Sequence, residues 1–570
     1  PLSPSRPIGS TPMLRTTLLS PFLLWRPRLV AAMTAARSLR LPSAKVRTAM
    51  YAAIVVAVGG LTCLYRLGDG MLIVDEAWFA VTTEHMLRSG DYIVPTIGEP
   101  YKGVPNSPHL NAAPLYNWLC CLTADVLCEG ALRYRLWSGL FGIGCALAAL
   151  ALASLLFGTE AGLIAGLMVV TNLHFLFIHG IRDGRMDPAL AFFVTMAVIA
   201  VVKAHRAAGS GVVWWAVAGI SLGCGALMKP PVFAGFFCAV LSVHHMAVRR
   251  ELTWRGRLRG PIVAAAVAAI LALPWYVALY SRLGWPAVNQ VVFSTSVGRA
   301  VKTFGESRPW WFYLVWIWQS SLAFKFVGLA LAWGVVSAVR GAERFAWGLL
   351  GFLSCAFLVA ISISVTRHWQ YVYPIYPVLA VAVAGLFSAG LRRISESRCL
   401  WRDWLAVAAV GLIAAGYCVR HDYIMTSYYV RHAPQPEYPP LIVHKAAERE
   451  LAAGNAHLVL FKFPVPEGPV SLKLGFGPSE RLYPVYFLAH AVRAKDEADL
   501  SHLIADGKPT VVFLPPFLSD SKVLNLSRRA DFRLYVVSRA HPYPVLAFNG
   551  ADAALHLREV LAAQLASPKP

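Results

Sequence analysis

The stretch YRLWSGLFGIGCALAALALASLLF, residues 134–157, is followed after Gly158 and Thr159 by a second apolar run over 160–180. Each is long enough to cross a bilayer, whose ~30 Å hydrocarbon core takes about 20 helical residues. The one charge in the first run, Arg135, stands near its start. The same test applied outward gives further runs at 50–66, 187–204, 212–228, 231–247, 260–284, 309–336, 343–364, 369–391 and 402–420. The expectation is a polytopic α-helical membrane protein with about eleven to thirteen transmembrane helices. The stretch 112–128 reads equally as another span or as a helix along the interface.

Composition agrees. The 570 residues are 57% hydrophobic and 14% charged, with a mean hydropathy of +0.55. A soluble domain carries about 25% charged residues, because its surface must be wetted. The net charge is +22, from 52 Lys and Arg against 30 Asp and Glu. In a soluble chain that excess would point to nucleic acid. Here the cations sit in short loops between apolar runs, and neither a Cys/His finger nor a basic helix interleaved with aromatics is present, so no nucleic-acid partner is expected. All ten cysteines lie between Cys63 and Cys418 without a CxxC pair, so they propose neither a disulfide framework nor a metal knuckle.

The arginines also orient the chain. Arg37, Arg40, Lys45 and Arg47 precede the first run, and alternate later loops hold Lys203 and Arg206, then Arg249 to Arg259, Arg340 and Arg344, and Arg392 to Arg402. The positive-inside rule makes that side cytoplasmic. The expected layout is a cytoplasmic tail over 1–48, with disorder as one reading of it, a transmembrane domain over 49–420, and a periplasmic domain over 421–570. Long outer loops fall at about 67–133 and 285–308, where function is expected. The C-terminal part changes character, with β-rich runs at 457–463, 482–488, 510–514, 534–538 and 544–549 and a helical pattern at 496–507. That reads as a small α/β domain.

Several charged residues stand at outer span ends. Asp75 and Glu76 follow the first span, and a carboxylate pair at that depth is costly unless it faces water, a metal or a cation; solvated surface acids are the plainer reading. Asp187 precedes Pro188 and reads on local grounds as an N-cap. Asp183, between Arg182 and Arg185, reads as a surface ion pair. Lys229 in ALMKPPVF reads as a snorkelling lysine. Arg135, Arg299, Arg367 and His368 add cations on the side where they are under-represented, and a bound phosphate would account for them.

Taken in order, DEAWFA from Asp75, APLYNW from Ala113, Arg135 in LRYRLWSGL, GRMDPALAFF from Gly184, GALMKPPV around Lys229, RPWWFYL from Arg308, and the R-x-x-x-Y-x-x-P run from Arg367 through Tyr371 to Pro374 resemble the protein O-mannosyltransferase and aminoarabinose transferase superfamily of GT-C glycosyltransferases. The resemblance covers residues 50–420 and rests on order and spacing rather than on any single motif. It implies an enzyme of the inner membrane that moves a sugar from a polyprenyl-phosphate donor to a lipid, glycan or protein acceptor outside the cytoplasm. Asp75 then matches the first-loop acid that acts as base or positions the acceptor, with Glu76 beside it, and Asp187 the second outer-loop acid. Lys229, Arg299, Arg367 and Tyr371, with Arg135, match positions near the lipid phosphate. The chain departs from the aminoarabinose branch where that branch has Glu-Lys-Pro-Pro-Leu and this one has Asn111, Ala112, Ala113, Pro114 and Leu115. Trp78 replaces an arginine, and Thr295 to Gly298 replace a His-containing run. These changes remove the branch's metal-linked acid and leave a divalent metal an open question, with Lys102 or His109 as substitutes.

A long isoprenoid cannot leave the bilayer cheaply, at about 0.8 kcal/mol for each buried CH₂, so the reacting groups must come to it. The expected chemistry is a direct displacement with inversion, Asp75 taking the acceptor's proton and cations meeting the departing phosphate. It requires Asp75 and Asp187 to converge at the outer rim. A transporter or flippase is the rival reading, and it would need charges deep within the spans, where Lys325 alone is found. A non-catalytic scaffold is the other.

Overall fold

The computed structural model describes residues 43–68, 75–97, 107–124, 131–207, 211–302, 308–341 and 343–395, and beyond them the strands of the C-terminal part. Contacts divide the chain into residues 1–51 and 52–570. Of the first unit only the opening of helix α1 (Ala44–Gly59) is described, so the expected tail over 1–48 lies almost wholly outside the described residues. In the second unit the helices are α2 (Asp75–Ser89), α3 (Leu115–Ala124), α4 (Leu132–Phe157), α5 (Thr159–Val170), α6 (Leu173–Phe177), α7 (Asp187–Arg206), α8 (Val212–Met228), α9 (Pro231–Val248), α10 (Trp254–Asn289), α11 (Val297–Val301), α12 (Phe312–Ser320), α13 (Val327–Val339), α14 (Arg344–Ile363) and α15 (Tyr376–Ser395).

Among the described residues seven helices are long and apolar enough to cross a membrane, and three shorter apolar ones are Thr159–Val170, Val212–Met228 and Ala323–Val339. Together they account for each expected span up to residue 391, and the run 402–420 lies outside the described residues. The chain is a multi-pass membrane protein. Its centre is made of α4, α5, α7 and α15, where alanine and glycine let backbones approach closely, as lipid-embedded helices require. At Gly162 a Cβ would lie 2.8 Å from the Leu150 carbonyl oxygen, so α5 can press on α4 only with glycine there. The large apolar side chains of α10 and α13 are exposed at the periphery, Ile270, Val277 and Val335 among them, where lipid tails take the place of a protein core.

The described part of helix α3 has 10 residues and lies against α2 in the loop after α1. Two elements differ from expectation. Helix α10 runs unbroken from Trp254 to Leu283, about 45 Å at 1.5 Å per residue, until Gly284 takes a left-handed backbone (φ 71°); the expected second loop beyond it is itself helical in pieces, to Asn289 and then over Gln290–Ser294 and Val297–Val301. The run 309–336 is two helices, because α12 stops at Ser320 and the chain makes a 3-10 turn over Ala323–Phe326. The Asn172 side-chain amide donates to Ser320 Oγ at 3.1 Å and fixes that break. Lys325 stands in the break with its ammonium 5.6 Å from the Trp318 ring, not within a continuous span.

The loop after α1 also carries a small pairing, β1 (Thr96–Ile97) with β2 (Ser107–Pro108). In the C-terminal part β3 (His457–Phe461), β4 (Ala491–Ala494), β5 (Thr510–Phe513), β6 (Phe532–Tyr535) and β7 (Val545–Phe548) form one sheet in the order β4-β3-β5-β7-β6. β3 runs parallel to β4 and β5, while β7 is antiparallel to β5 and β6. The strand expected at 482–488 and most of the helix expected at 496–507 lie outside the described residues.

Candidate active site

The turn IHGIRDGRMD, residues 178–187, joins α6 to α7 and gathers charged residues from several span ends around itself. His179 adopts a left-handed backbone (φ 53°), and the Ile181 and Arg182 amides donate back to the Phe175 and Leu176 carbonyls. The chain thereby folds over the end of α6. Gly184 meets the next element: its N–H donates to Glu76 Oε1 at 2.5 Å, and a Cβ there would come 2.9 Å from the Tyr134 carbonyl oxygen.

Glu76, in the first turn of α2, is 0% exposed. Arg135 meets it with two bonds, Nε to Oε1 at 2.8 Å and Nη2 to Oε2 at 2.9 Å, and its Nη1 reaches the Leu67 carbonyl at 3.3 Å. A planar guanidinium matches a carboxylate in this way and holds both orientation and charge. The two residues expected at the chemistry and at the lipid phosphate therefore satisfy each other. Asp75 precedes Glu76 and opens α2, and only its backbone is described. The Glu76–Gly184 bond sets that end of α2 against the turn leading to Asp187, so the elements bearing the two expected acids are adjacent.

The surface reading of Arg182, Asp183 and Arg185 is corrected: all three are buried. Arg182 donates to the carbonyls of Thr62 and Tyr65, both at 2.8 Å, closing the end of the first span. Burial, reinforced by the Glu76 charge, pushes the Asp183 carboxyl up to about 7, against the pull of Arg185, Arg135 and a His179 backbone bond. A carboxyl whose folded pKa lies above its unfolded value loses stabilisation as pH rises from the unfolded to the folded pKa. We expect the melting temperature in detergent to fall between about pH 4 and pH 7, and the fall to be smaller in Asp183→Asn; equal slopes in the two proteins would dismiss this assignment.

Asp187 is not an N-cap. The cap position is Met186, without a side-chain capping bond, and the carboxylate instead accepts from Lys229 Nζ at 2.6 Å. Lys229 is placed by its own sequence: Pro230 and Pro231 forbid a continuous helix, so α8 ends and the lysine takes an extended conformation (φ −132°, ψ 170°) at the α8–α9 turn. Two residues beyond Pro231, the Phe233 ring lies 6.4 Å from Tyr371, and the His368 ring is 5.5 Å from Tyr371 on the other side. Tyr371 thus joins the Lys229 turn to the 3-10 helix Trp369–Ile375. That helix braces the 178–187 turn, because the Tyr373 hydroxyl bonds the His174 and Ile178 carbonyls.

Arg299 and Arg367 belong to a neighbouring patch. The Val365 and Thr366 amides donate to the Ala300 and Arg299 carbonyls at 2.8 and 3.2 Å, binding α11 to the segment before Arg367. Arg367 donates to the Ser362 and Arg308 carbonyls. Arg308, absent from the expected site, lies with its guanidinium 4.6 Å from the Phe312 ring centroid and 4.5 Å from that of Trp369. An arginine followed by Pro-Trp-Trp-Phe was the available sign.

The floor beneath these charges explains the departures from the aminoarabinose pattern. Trp78 packs with Phe79, Ala112, Tyr116, Tyr134, Met186 and Met228 in one apolar cluster. His109, inside it, shares hydrogen bonds with Thr82 Oγ1 at Nδ1 and Asn111 Nδ2 at Nε2, both at 3.2 Å. Where that branch carries charges, this chain has a neutral network and a core alanine. Both imidazole nitrogens are engaged, and among the described residues no three His, Cys, Asp or Glu side chains gather as metal ligands, so the residues described do not fit a metal.

Residues 124–286 match the family model described as dolichyl-phosphate-mannose-protein mannosyltransferase. The chain is 26% identical over 373 residues to an undecaprenyl phosphate-alpha-4-amino-4-deoxy-L-arabinose arabinosyl transferase of Pseudomonas fluorescens, covering 62% of each. It is also 26% identical over 395 residues to the corresponding transferase of Pectobacterium atrosepticum, covering 65% of this chain and 66% of that one. The chain thus spans less than two thirds of these curated relatives. In three dimensions it superposes on ArnT from Cupriavidus metallidurans bound to undecaprenyl phosphate, with a TM-score of 0.61 at 16% identity over 91% of this chain and 99% of that one. The chain has the GT-C fold of the ArnT type. The GT-C fold also relates it to the archaeal oligosaccharyltransferase AglB of Archaeoglobus fulgidus, at a TM-score of 0.56 and 13% identity over 84% of this chain and 70% of that one.

Proposed function

We propose that the protein is an integral-membrane glycosyltransferase of the inner membrane that moves a sugar from a polyprenyl-phosphate donor to an acceptor on the periplasmic face, with inversion. The Asp187–Lys229 pair carries the reading: an acid and a cation meet at one end of the bundle, beside the turn that Glu76 and Arg135 hold. The relatives, which are undecaprenyl phosphate-alpha-4-amino-4-deoxy-L-arabinose arabinosyl transferases, support it. So does the undecaprenyl phosphate bound in the similar ArnT.

An acceptor hydroxyl or amine attacks the anomeric carbon and its proton passes to Asp75. The bond from that carbon to the lipid phosphate oxygen breaks, and the electron pair leaves with the phosphate. Lys229 and the arginines at 299 and 367, with Tyr371, meet the charge that develops there. Asp187 keeps Lys229 aimed until the phosphate arrives. Glu76 and Arg135 position the turn rather than touch the substrate. The acceptor is a lipid, a glycan or a protein, and the C-terminal sheet belongs to a periplasmic domain. Charges paired at the bundle's end, instead of strung through it, do not favour a transporter.

In proteoliposomes with a labelled polyprenyl-phosphate sugar, the protein should release free polyprenyl phosphate and place the label on an acceptor. Lys229→Met should slow that release by about 10²-fold, the scale of losing one preorganised donor to a developing charge. Movement of the lipid across the bilayer without bond cleavage would overturn the proposal.

A further inference from the structure

A second lipid contact is built at the opposite end of the bundle. The turn between α9 and α10 reads RRELTWRGRLR from Arg249. Three of its arginines are used locally. Arg249 donates to the His205 carbonyl, Arg250 to that of Ala247, and Arg257 to that of Leu252. These bonds shape the turn and start α10, with Thr253 capping the Gly256 amide. Arg255 and Arg259 are exposed, and neither is tied back in this way.

Their position on the helix decides what they face. Residues 255 and 259 are one turn apart, and the same face continues through Ile262, Ile270, Leu273, Val277 and Tyr280, all exposed. That face is the exposed stripe of α10, whose unbroken part from Trp254 to Leu283, about 45 Å at 1.5 Å per residue, outruns the ~30 Å hydrocarbon core. The two guanidinium groups therefore continue a column of lipid-facing side chains past the level of the acyl chains. Trp254, 63% exposed, adjoins them as an interfacial ring does. A lipid lying along this stripe would bring its phosphate to the pair of arginines.

We propose that Trp254, Arg255 and Arg259 form a binding site for the headgroup of an anionic phospholipid in the leaflet on the arginine-rich side. Guanidinium groups suit a phosphodiester through paired N–H donors, and basic residues next to a span attract anionic headgroups. This site is separate from the proposed transfer site and does not depend on it.

Native mass spectrometry of the full-length protein, titrated in detergent with phosphatidylglycerol or phosphatidylcholine, tests it. The wild type should retain phosphatidylglycerol preferentially. R255Q/R259Q should lower that retention on the order of tenfold, since two basic residues are lost, whereas R255K/R259K should retain most of it. R340Q/R344Q removes the same charge from another exposed turn at the same end and should leave retention unchanged. Equal retention of the two lipids, an equal loss in R340Q/R344Q, or displacement by millimolar inorganic phosphate would each overturn the proposal.

Discussion

Asp75→Asn should leave the protein inserted and folded yet reduce sugar transfer by about 10²–10⁴-fold, the usual worth of a positioned general base. Asparagine keeps the shape of the side chain but takes no proton. Asp75 is the first residue of α2, where the positive end of the helix dipole favours a carboxylate by roughly 0.3–1 kcal/mol, so the change removes little stability. The loss should appear in the rate of donor consumption, with donor binding largely kept. Turnover near that of the wild type would remove Asp75 from the mechanism. The neighbouring acid gives the contrast, since Glu76 is pinned and should behave as a structural residue.

The second large effect is expected from Arg135→Met. It would leave the Glu76 carboxylate wholly buried without its bidentate partner, retaining the Gly184 N–H. Breaking a buried pair from one side costs about 3–5 kcal/mol, because the remaining charge is uncompensated. The melting temperature and the yield of folded protein in detergent should both drop. Glu76→Gln combined with Arg135→Met should recover part of that loss, because neither charge is then stranded. If the double variant melts no higher than Arg135→Met, the two residues do not form the unit described.

Much of this architecture was legible from the chain. A run of apolar residues about 20 long has one physical use, so the spans from the first through residue 391 were readable. Interruptions were not, because both sides of a break are equally apolar: α12 and α13 read as one span, and an extended Ser321 followed by the 3-10 turn over Ala323–Phe326 separates them. The length of α10 was hidden for the converse reason. Pro261 and Pro274 suggest stops, yet the helix continues through both and breaks at Gly284, two residues before Pro286. Helix α3 stayed ambiguous because its hydrophobicity serves the contact with α2 as well as it would serve lipid.

At the site, residue types were more legible than roles. Asp187 before Pro188 is written identically whether it caps a helix or holds a lysine 42 positions later. Arg182, Asp183 and Arg185 read as surface charges because the carbonyls that receive Arg182 belong to residues 62 and 65, about 120 positions away. The replacement of the family's charged pair by Asn111 and Ala112 was visible. The His109 network and the apolar packing that absorb it were not.

The brace under the 178–187 turn bears on how the protein is made. Tyr373 reaches carbonyls that lie 199 and 195 positions earlier in the chain. A nascent polypeptide that ends before Tyr373 lacks this brace, however many of its helices are already in the membrane. The turn that leads to Asp187 is therefore held in full only after the Trp369–Ile375 segment has been synthesised.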